Sequence, residues 1–242
     1  MSQPASPDTG AQPGPRFYGR RAGRRLSPQL AQALAGAGER YRLSLPADSP
    51  EAPLDLAALF GPACTRYALE IGFGMGEHLL ARAVSEPETG FLGVEPFRNG
   101  MARLTADLQA AGADNVRIWN EDVHRLLHHL QDGSFAAIYV LFPDPWPKRR
   151  HQARRLIQSA TLARLRDLLV PGGRLVLASD DPGYQVWMLY CLARCPGLVW
   201  TAERPADWQA LSDYAGKTGY QRRAEATGRP AVFLDCRRTD SA

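Results

Sequence analysis

The sequence lacks any apolar run of the roughly 18 residues needed to cross a bilayer. Its first seventeen residues contain no apolar stretch, unlike a secretory signal. Cysteine is scarce, with four residues in 242, which excludes a small disulfide scaffold. Only Cys191 and Cys195 are close in sequence, so no second pair completes a zinc knuckle. We therefore expect a cytoplasmic protein with reduced cysteines, no bound metal and no membrane association.

The composition is that of a globular chain, with 45% hydrophobic and 22% charged residues. The formal net charge is +4. Residues 1–25 hold five arginines against one aspartate, so the excess lies entirely in this Pro/Gly-rich segment. We expect residues 1–25 to be a disordered basic arm, which either contacts a polyanion or only aids solubility. Residues 26–65 are predicted to form a helical connector, residues 66–238 the main domain, and residues 239–242 a tail.

Beyond Tyr67, short apolar runs alternate with segments of helical spacing. The apolar runs are YALEIGFG, FLGVEP, VRIWNED, FAAIYVLFPDP, RLVLASD and AVFLDCRR. The predicted helices cover about 77–85, 97–112, 121–131, 149–169 and 182–195. Near-continuous apolar strands that alternate with helices indicate a mostly parallel sheet covered on both faces. The predicted fold class is therefore α/β, with a doubly wound sheet.

A glycine-rich loop follows the first predicted strand and precedes a helix. Gly72 and Gly74 would let the backbone approach a ligand closely. The dinucleotide fingerprint G-x-G-x-x-G fails because its third glycine is replaced by Glu77. Carboxylates at Glu70 and Glu77 would also repel a pyrophosphate. The loop therefore favours a cofactor that has a cationic centre and no phosphate.

Two more acids end the next two predicted strands. Glu95 is placed to accept the two hydroxyls of a ribose, and Asp122 to meet an adenine edge. Each could instead be a helix cap or a solvated loop carboxylate. With Glu70, the three acids converge on one crevice, which favours S-adenosylmethionine in a Rossmann-like class I methyltransferase fold. A dinucleotide remains the alternative ligand.

The fourth predicted strand runs into Pro-Asp-Pro-Trp-Pro-Lys at residues 143–148. Three prolines in five residues make this loop stiff, so that Asp144 and Trp146 are held beside the crevice. A rigid acid and aromatic ring suit recognition of a planar base, although Trp146 could simply pack. Basic residues follow from Lys148, and no acid occurs between Pro145 and Arg166. This run indicates a partner anion, most simply a nucleic-acid backbone.

The segments LEIGFGMGEHLL, FLGVEPF, VLFPDPWPKRRHQARRLI and ASDDPGY resemble the bacterial tRNA (guanine-N7-)-methyltransferase family over roughly residues 66–238. The resemblance implies formation of N7-methylguanosine in tRNA, at guanine-46 of the variable loop, with S-adenosylmethionine as cofactor. It implies that Asp144 is catalytic. The residues that it implies for binding or ordering the cofactor are Glu70, Gly72, Gly74, Glu95, Asp122 and Asp144. Those that it implies for binding the substrate are Lys148, Asp180, Thr218, Tyr220 and Gln221.

The chain departs from the family's C-terminal motif, which has a basic residue and a glutamate where Gly219 and Gln221 stand here. Two other functions therefore stay open: a class I methyltransferase that acts on protein or a small molecule, and a non-catalytic RNA-binding module. His124 and His128 have the spacing of a metal pair but lack an evident third ligand. One of Asp180 and Asp181 could cap the helix that begins at Pro182. The sequence leaves the oligomeric state open between monomer and homodimer.

Overall fold

The computed structural model describes Gly19 and residues 21–45, 52–210, 219, 222, 226, 228 and 230–239. Within these residues, seven strands form one sheet in the order β3-β2-β1-β4-β5-β7-β6. The strands are β1 (Arg66–Ile71), β2 (Thr89–Val94), β3 (Val116–Trp119), β4 (Phe135–Leu141), β5 (Leu169–Ser179), β6 (Leu198–Trp200) and β7 (Val232–Arg238).

The first five strands are parallel, and β7 inserts antiparallel between β5 and β6. The strand order reverses direction between β1 and β4, which lie side by side in the middle of the sheet. This arrangement confirms the predicted doubly wound, mostly parallel α/β fold. In such folds the ligand crevice lies beyond the carboxyl ends of the strands at the reversal point.

Helices cover both faces of the sheet. They are α1 (Pro28–Gly36), α2 (Gly38–Tyr41), α3 (Leu56–Phe60), α4 (Glu77–Ser85), α5 (Arg98–Ala111), α6 (Val123–Leu127), α7 (Ser159–Leu168), α8 (Pro182–Ala193) and α9 (Ala206–Gln209). None of the helices in the described part of the chain is long and apolar enough to cross a membrane. The first helix begins at Pro28, and the Ser27 hydroxyl caps it by accepting a hydrogen bond from the Leu30 amide.

Side chains alternate between two hydrophobic layers along the strands. Leu69 and Ile71 of β1 pack on one face, in the layer that includes Leu165 of α7. Ala68, one residue before Leu69, faces the other layer with Leu104 of α5. Because both layers are buried, the central strands read as continuous apolar runs. All four cysteines are buried and free.

The predicted helix over 149–169 is wrong as a single element. The chain instead forms a 3₁₀ helix at Arg149–Arg154 and then α7, with an extended stretch between them. Ile157 explains the break, because both of its backbone groups bind side chains of α8. Its amide donates to the Tyr184 hydroxyl at 3.1 Å, and its carbonyl accepts from the Trp187 indole at 2.7 Å. The basic run therefore does not begin a long α-helix.

The expected disordered arm is ordered where it meets the domain. Residues 1–18 and Arg20 lie outside the described residues, but Arg21 and Arg24 are hydrogen-bonded through their carbonyls to the start of α5. These bonds join positions more than 70 residues apart in the chain, so periodicity within the arm gave no signal for them. The last residues of the arm thus pack beside the crevice.

Candidate active site

A cavity of about 350 Å³ lies at the carboxyl ends of β1 to β4, at the reversal point of the sheet. We call it the donor cavity, after the methyl donor, S-adenosylmethionine, that the sequence predicts at this place. Its wall includes Gly72 and Gly74 of the glycine loop and three of the predicted acids, Glu95, Asp122 and Asp144. The structure therefore brings five of the sequence-predicted residues together in space, although their functional roles remain predictions.

The glycine loop needs its glycines for backbone reasons. Gly72, Gly74 and Gly76 have φ values of +78°, +59° and +86°, in the left-handed region that favours glycine. A further glycine, Gly100 of α5, allows the loop to lie directly against the helix. A Cβ atom at Gly100 would stand 1.9 Å from the Gly74 carbonyl oxygen, which is a severe clash.

Glu95 ties the glycine loop to the chain that leads into α5. Its Oε2 accepts the Gly74 amide at 2.9 Å, and its Oε1 accepts the Phe97 amide at 2.9 Å. The residue is only 9% exposed. Burial raises the pKa of this carboxyl to about 6 against the opposing effect of the two amides, and the nearby charges of Asp144 and Glu70 raise it further.

Glu70 lies outside the residues that line the donor cavity. Its carboxylate is buried behind the glycine loop, with Oε2 2.7 Å from Nδ1 of the buried His78 at the start of α4. The Tyr139 ring of β4 lies against His78, with ring centroids 4.8 Å apart. This placement suits a role in ordering the loop more than direct contact with a ligand.

Asp122 is both a helix cap and part of the cavity wall. Its Oδ1 accepts the His124 amide at 3.0 Å at the start of α6. His124, noted in the sequence only for its spacing to His128, is half-buried in the cavity wall, and burial lowers the pKa of its imidazole. Its position two residues after a strand-end acid was the available signal. No group of three metal-ligating side chains occurs within the described residues.

The proline loop, residues 143–148, leaves the end of β4 in a strained conformation. Phe142 before it and Trp146 within it have φ values of +53° and +43°, which are uncommon for residues other than glycine. Asp144 lies at the mouth of the donor cavity, where water still reaches its side chain. Desolvation by the surrounding walls nonetheless raises the pKa of its carboxyl.

Side chains from the 3₁₀ helix and the residue after it brace the proline loop. The Arg154 guanidinium lies 5.1 Å from the centre of the Trp146 ring and lines the donor cavity. The His151 ring meets Trp146 edge-on at 5.8 Å. In addition, Nε of the buried Arg155 donates to the Pro145 carbonyl at 2.8 Å. Trp146 is therefore fixed by neighbours rather than buried in the core.

Two of the five predicted substrate-binding residues are described. Lys148 is exposed at the start of the 3₁₀ helix, and Asp180 is half-buried directly after β5. Asp181, not Asp180, caps α8, since its Oδ1 accepts the Tyr184 amide at 2.8 Å. The three remaining predicted residues lie outside the described residues, namely Thr218, Tyr220 and Gln221.

Two described residues at the C-terminal motif, Gly219 and Arg222, lie close to Glu77. Nη2 of Arg222 lies 3.2 Å from Oε1 of Glu77, at the start of α4. A Cβ atom at Gly219 would stand 3.6 Å from the same carboxylate oxygen. Gly219 and Arg222 are thus placed against the start of α4, the helix that follows the glycine loop.

The charges in the cavity wall define the ligand chemistry that fits. Among the described residues, Glu95, Asp122 and Asp144 line the cavity together with one guanidinium, that of Arg154. This excess of carboxylates suits a ligand with a cationic centre and hydroxyl donors, and it disfavours a pyrophosphate. The donor cavity therefore fits a sulfonium nucleoside better than a dinucleotide.

Comparison with known proteins is consistent with this chemistry. A family model described as "Putative methyltransferase" matches residues 65–234. The tRNA (guanine-N(7)-)-methyltransferase of Nitrobacter hamburgensis is 43% identical over 227 residues, which cover 93% of this chain and 88% of that protein. The protein of the same name from Rhodospirillum rubrum is 41% identical over 238 residues, covering 94% and 89%.

Solved structures with much lower identity share the fold. A 16S rRNA (adenine(1408)-N(1))-methyltransferase from Catenulisporales acidiphilia, solved as a point mutant with its cosubstrate SAM, has a TM-score of 0.54 and 20% identity. The match covers 82% of this chain and 93% of that one. The antibiotic-resistance methyltransferase Kmr has a TM-score of 0.52 and 20% identity, covering 78% and 93%.

Proposed function

Because this chain belongs to the tRNA (guanine-N(7)-)-methyltransferase family, we propose that it methylates N7 of a guanine in tRNA with S-adenosylmethionine as donor. The observation that carries the proposal is the juxtaposition of a carboxylate-lined donor cavity with the stiff proline loop, whose Asp144 and Trp146 line the same cavity. Guanine-46 of the variable loop is the proposed target nucleotide. A cytoplasmic location, where tRNA is modified, belongs to the same proposal.

The donor side of the site would hold the cofactor through its acids. Both Glu95 oxygens accept backbone amides, yet each keeps a lone pair that can accept a ribose hydroxyl. Asp122 and His124, which also line the cavity, would contact the adenine. The Gly72 and Gly74 backbone offers close approach without side chains. When bound, the sulfonium supplies an electrophilic methyl group.

Asp144 would act on the acceptor base. Guanine N7 carries a lone pair and no hydrogen, so its methylation requires no prior deprotonation. Positive charge develops on the purine as the methyl group is transferred. An ionised Asp144 at the cavity mouth stabilises that charge, and a well-placed carboxylate contributes roughly 3 kcal/mol to such a transition state. Trp146, with its ring fixed beside the same opening, offers a surface for stacking.

The cations of the 3₁₀ helix would bind the RNA backbone. Lys148, Arg149 and Arg150 are all exposed at the edge of the proline loop. Their contacts would be electrostatic and independent of sequence, and would fix the RNA so that one base enters the site.

The experiment that tests the function is methyl transfer from labelled S-adenosylmethionine to unmodified tRNA. The modified nucleotide is then mapped by mild reduction, cleavage at N7-methylguanosine and reverse-transcription stops. We expect label in the tRNA and one stop in the variable loop. Label only in protein or in a small molecule would indicate a different methyltransferase, and tRNA binding without label would indicate the non-catalytic module.

A transcript in which only the target guanine is replaced by adenine is the matched control. It keeps the fold and charge of the tRNA but removes the proposed acceptor. We expect equal binding and no label. Label retained in this transcript would show that guanine-46 is not the target, although the enzyme class would stand.

A further inference from the structure

A short described part of the arm lies between the donor cavity, which Gly19 lines, and the start of α5, to which residues 21–24 are hydrogen-bonded. It consists of Gly19 and residues 21–24, and we call it the N-terminal strap. Gly19 lines the cavity together with Glu95 and Phe97. The strap therefore contributes one residue, Gly19, to the cavity wall.

One side chain of the domain fastens the strap through two hydrogen bonds. Oδ1 of Asn99 accepts the Gly23 amide at 2.9 Å, and its Nδ2 donates to the Arg24 carbonyl at 2.8 Å. The Asn99 amide group thus satisfies successive backbone groups of the strap, as a neighbouring strand would. A third bond, from the Arg98 amide to the Arg21 carbonyl at 2.9 Å, continues the contact.

Close packing adds to these bonds. A Cβ atom at Gly23 would stand 2.9 Å from the Phe97 ring, so the strap backbone lies directly against that ring. The amide of the same Phe97 donates to Glu95. The strap and the proposed ribose-binding carboxylate are therefore connected through one residue.

We propose that Asn99 is a positioning residue, which holds the N-terminal strap as one wall of the donor cavity and so strengthens binding of the methyl donor. The proposal rests on the proposed function for the identity of the donor. It requires no contact between Asn99 and the ligand. Asn99 acts through the strap, which covers the ligand and excludes water from that side.

The test is calorimetric titration of the full chain with S-adenosylhomocysteine, without RNA. Asn99→Ala removes both strap bonds, and we expect the dissociation constant to rise about 10-fold, which is the order of effect expected from the net loss of two hydrogen bonds. Asn99→Asp keeps the acceptor for Gly23 but cannot donate to Arg24, so an intermediate loss is expected.

The aspartate variant also separates positioning from helix stability. Asn99 is in the first turn of α5, where a carboxylate favours the helix. If Asn99 served only to stabilise α5, Asn99→Asp would bind donor at least as well as the parent chain. Ser27→Ala, which removes the α1 cap just beyond the strap, is the control and leaves donor affinity unchanged.

A double-mutant cycle checks that the effect passes through the strap. Gly23→Pro removes the amide donor and also drives a Cβ atom against the Phe97 ring, so it is expected to displace the strap and to weaken binding more than Asn99→Ala does. Asn99→Ala added to Gly23→Pro should give little further loss, because the strap that Asn99 holds is already displaced. Fully additive losses would contradict the proposal.

The remaining outcomes distinguish the strap from the function on which it rests. Unchanged affinity in Asn99→Ala, while the parent chain binds S-adenosylhomocysteine, would overturn the strap alone. Failure of the parent chain to bind this ligand would contradict the proposed function and the strap's role in donor binding together.

Discussion

The two halves of the site differ in how their charged groups are engaged. The donor half is the donor cavity with the glycine loop, and the acceptor half is the proline loop with the 3₁₀ helix. On the donor side, the acids are already engaged by the protein, as Glu95 is by two backbone amides and Glu70 by His78. On the acceptor side, the cations of the 3₁₀ helix are exposed, and Lys148 directly precedes its first turn. On the proposed function, the donor half is preorganised for a small ligand, whereas the acceptor half presents charge to a large polyanion.

Backbone strain also separates the halves. The glycine loop reaches positive φ only at glycines, at little cost. The chain at the proline loop does so at two other residues, Phe142 just before the loop and Trp146 within it. Such residues cost of order 1–3 kcal/mol each and persist where neighbours enforce them. Arg155, through its bond to the Pro145 carbonyl, is one such neighbour. The proline loop is therefore held in its conformation by contacts within the protein itself.

Asp144→Asn gives the largest expected effect, and that effect falls mainly on the acceptor half. Turnover should fall about 100-fold, because the amide cannot neutralise positive charge on the base. The affinity for S-adenosylhomocysteine should change by less than about threefold. Single-turnover methylation and calorimetry measure the two quantities. Equal losses in both would place Asp144 in the donor half instead.

Gly100→Ala is expected to damage the donor half. Its Cβ would overlap the Gly74 carbonyl, so either the loop or α5 must move, at a cost of about 2 kcal/mol in the free energy of unfolding. Donor affinity should fall as well, while tRNA affinity stays the same. Gly36→Ala is the matched control, because its Cβ meets nothing within 4 Å. Denaturant unfolding of both variants would show whether the effect is specific to position 100.

Donor affinity should depend on pH through Glu95. Since burial raises the pKa of this carboxyl to about 6, and a ribose hydroxyl needs the ionised form as acceptor, affinity should fall about tenfold from about pH 7 to about pH 5. Glu95→Gln should bind weakly at every pH and flatten this profile. A pH-independent affinity in the parent chain would show that Glu95 is not the acceptor.

The same raised pKa has the opposite sign for stability. The folded chain binds this proton more tightly than the unfolded chain does, so the contribution of Glu95 to the free energy of unfolding falls as pH rises from 4.5 to about 6. Glu95→Gln removes this slope. Denaturant midpoints of the two chains across this range provide the measurement.

Lys148→Gln should give the smallest change and confine it to the acceptor half. Loss of one phosphate contact weakens tRNA binding about three- to fivefold at moderate salt and reduces the slope of log affinity against log salt by about 0.9. Donor affinity should not change. A binding titration at several salt concentrations checks both points. An unaltered slope would mean that Lys148 does not contact a phosphate.

Much of the fold was predictable because local pattern and tertiary structure agree. The central strands are buried on both faces and therefore read as apolar runs, and α4 spans the predicted residues 77–85. The helix at 149–169 was mispredicted because its break depends on distant partners. Tyr184 and Trp187 bind the backbone of Ile157 from 27 and 30 residues away.

The same division applies to the site. Glu95, Asp122 and Asp144 could be placed in the crevice because acids at the ends of parallel strands converge. Arg154 was noted only as one cation of the basic run, since nothing local distinguishes a guanidinium over a tryptophan ring. Asn99 escaped notice because its partners lie 75 and 76 residues earlier. A single polar side chain that fastens a remote backbone has no periodic signature.

Phe97 contacts both parts of the site: its amide donates a hydrogen bond to Glu95 in the cavity, and its ring packs against Gly23 in the strap. We therefore expect a displacement of the strap to change the position of the Glu95 carboxylate, and the reverse. If RNA bound to the basic arm, residues 1–25, raised the affinity for the methyl donor, thermodynamic reciprocity would require the donor to raise the affinity for RNA by the same factor.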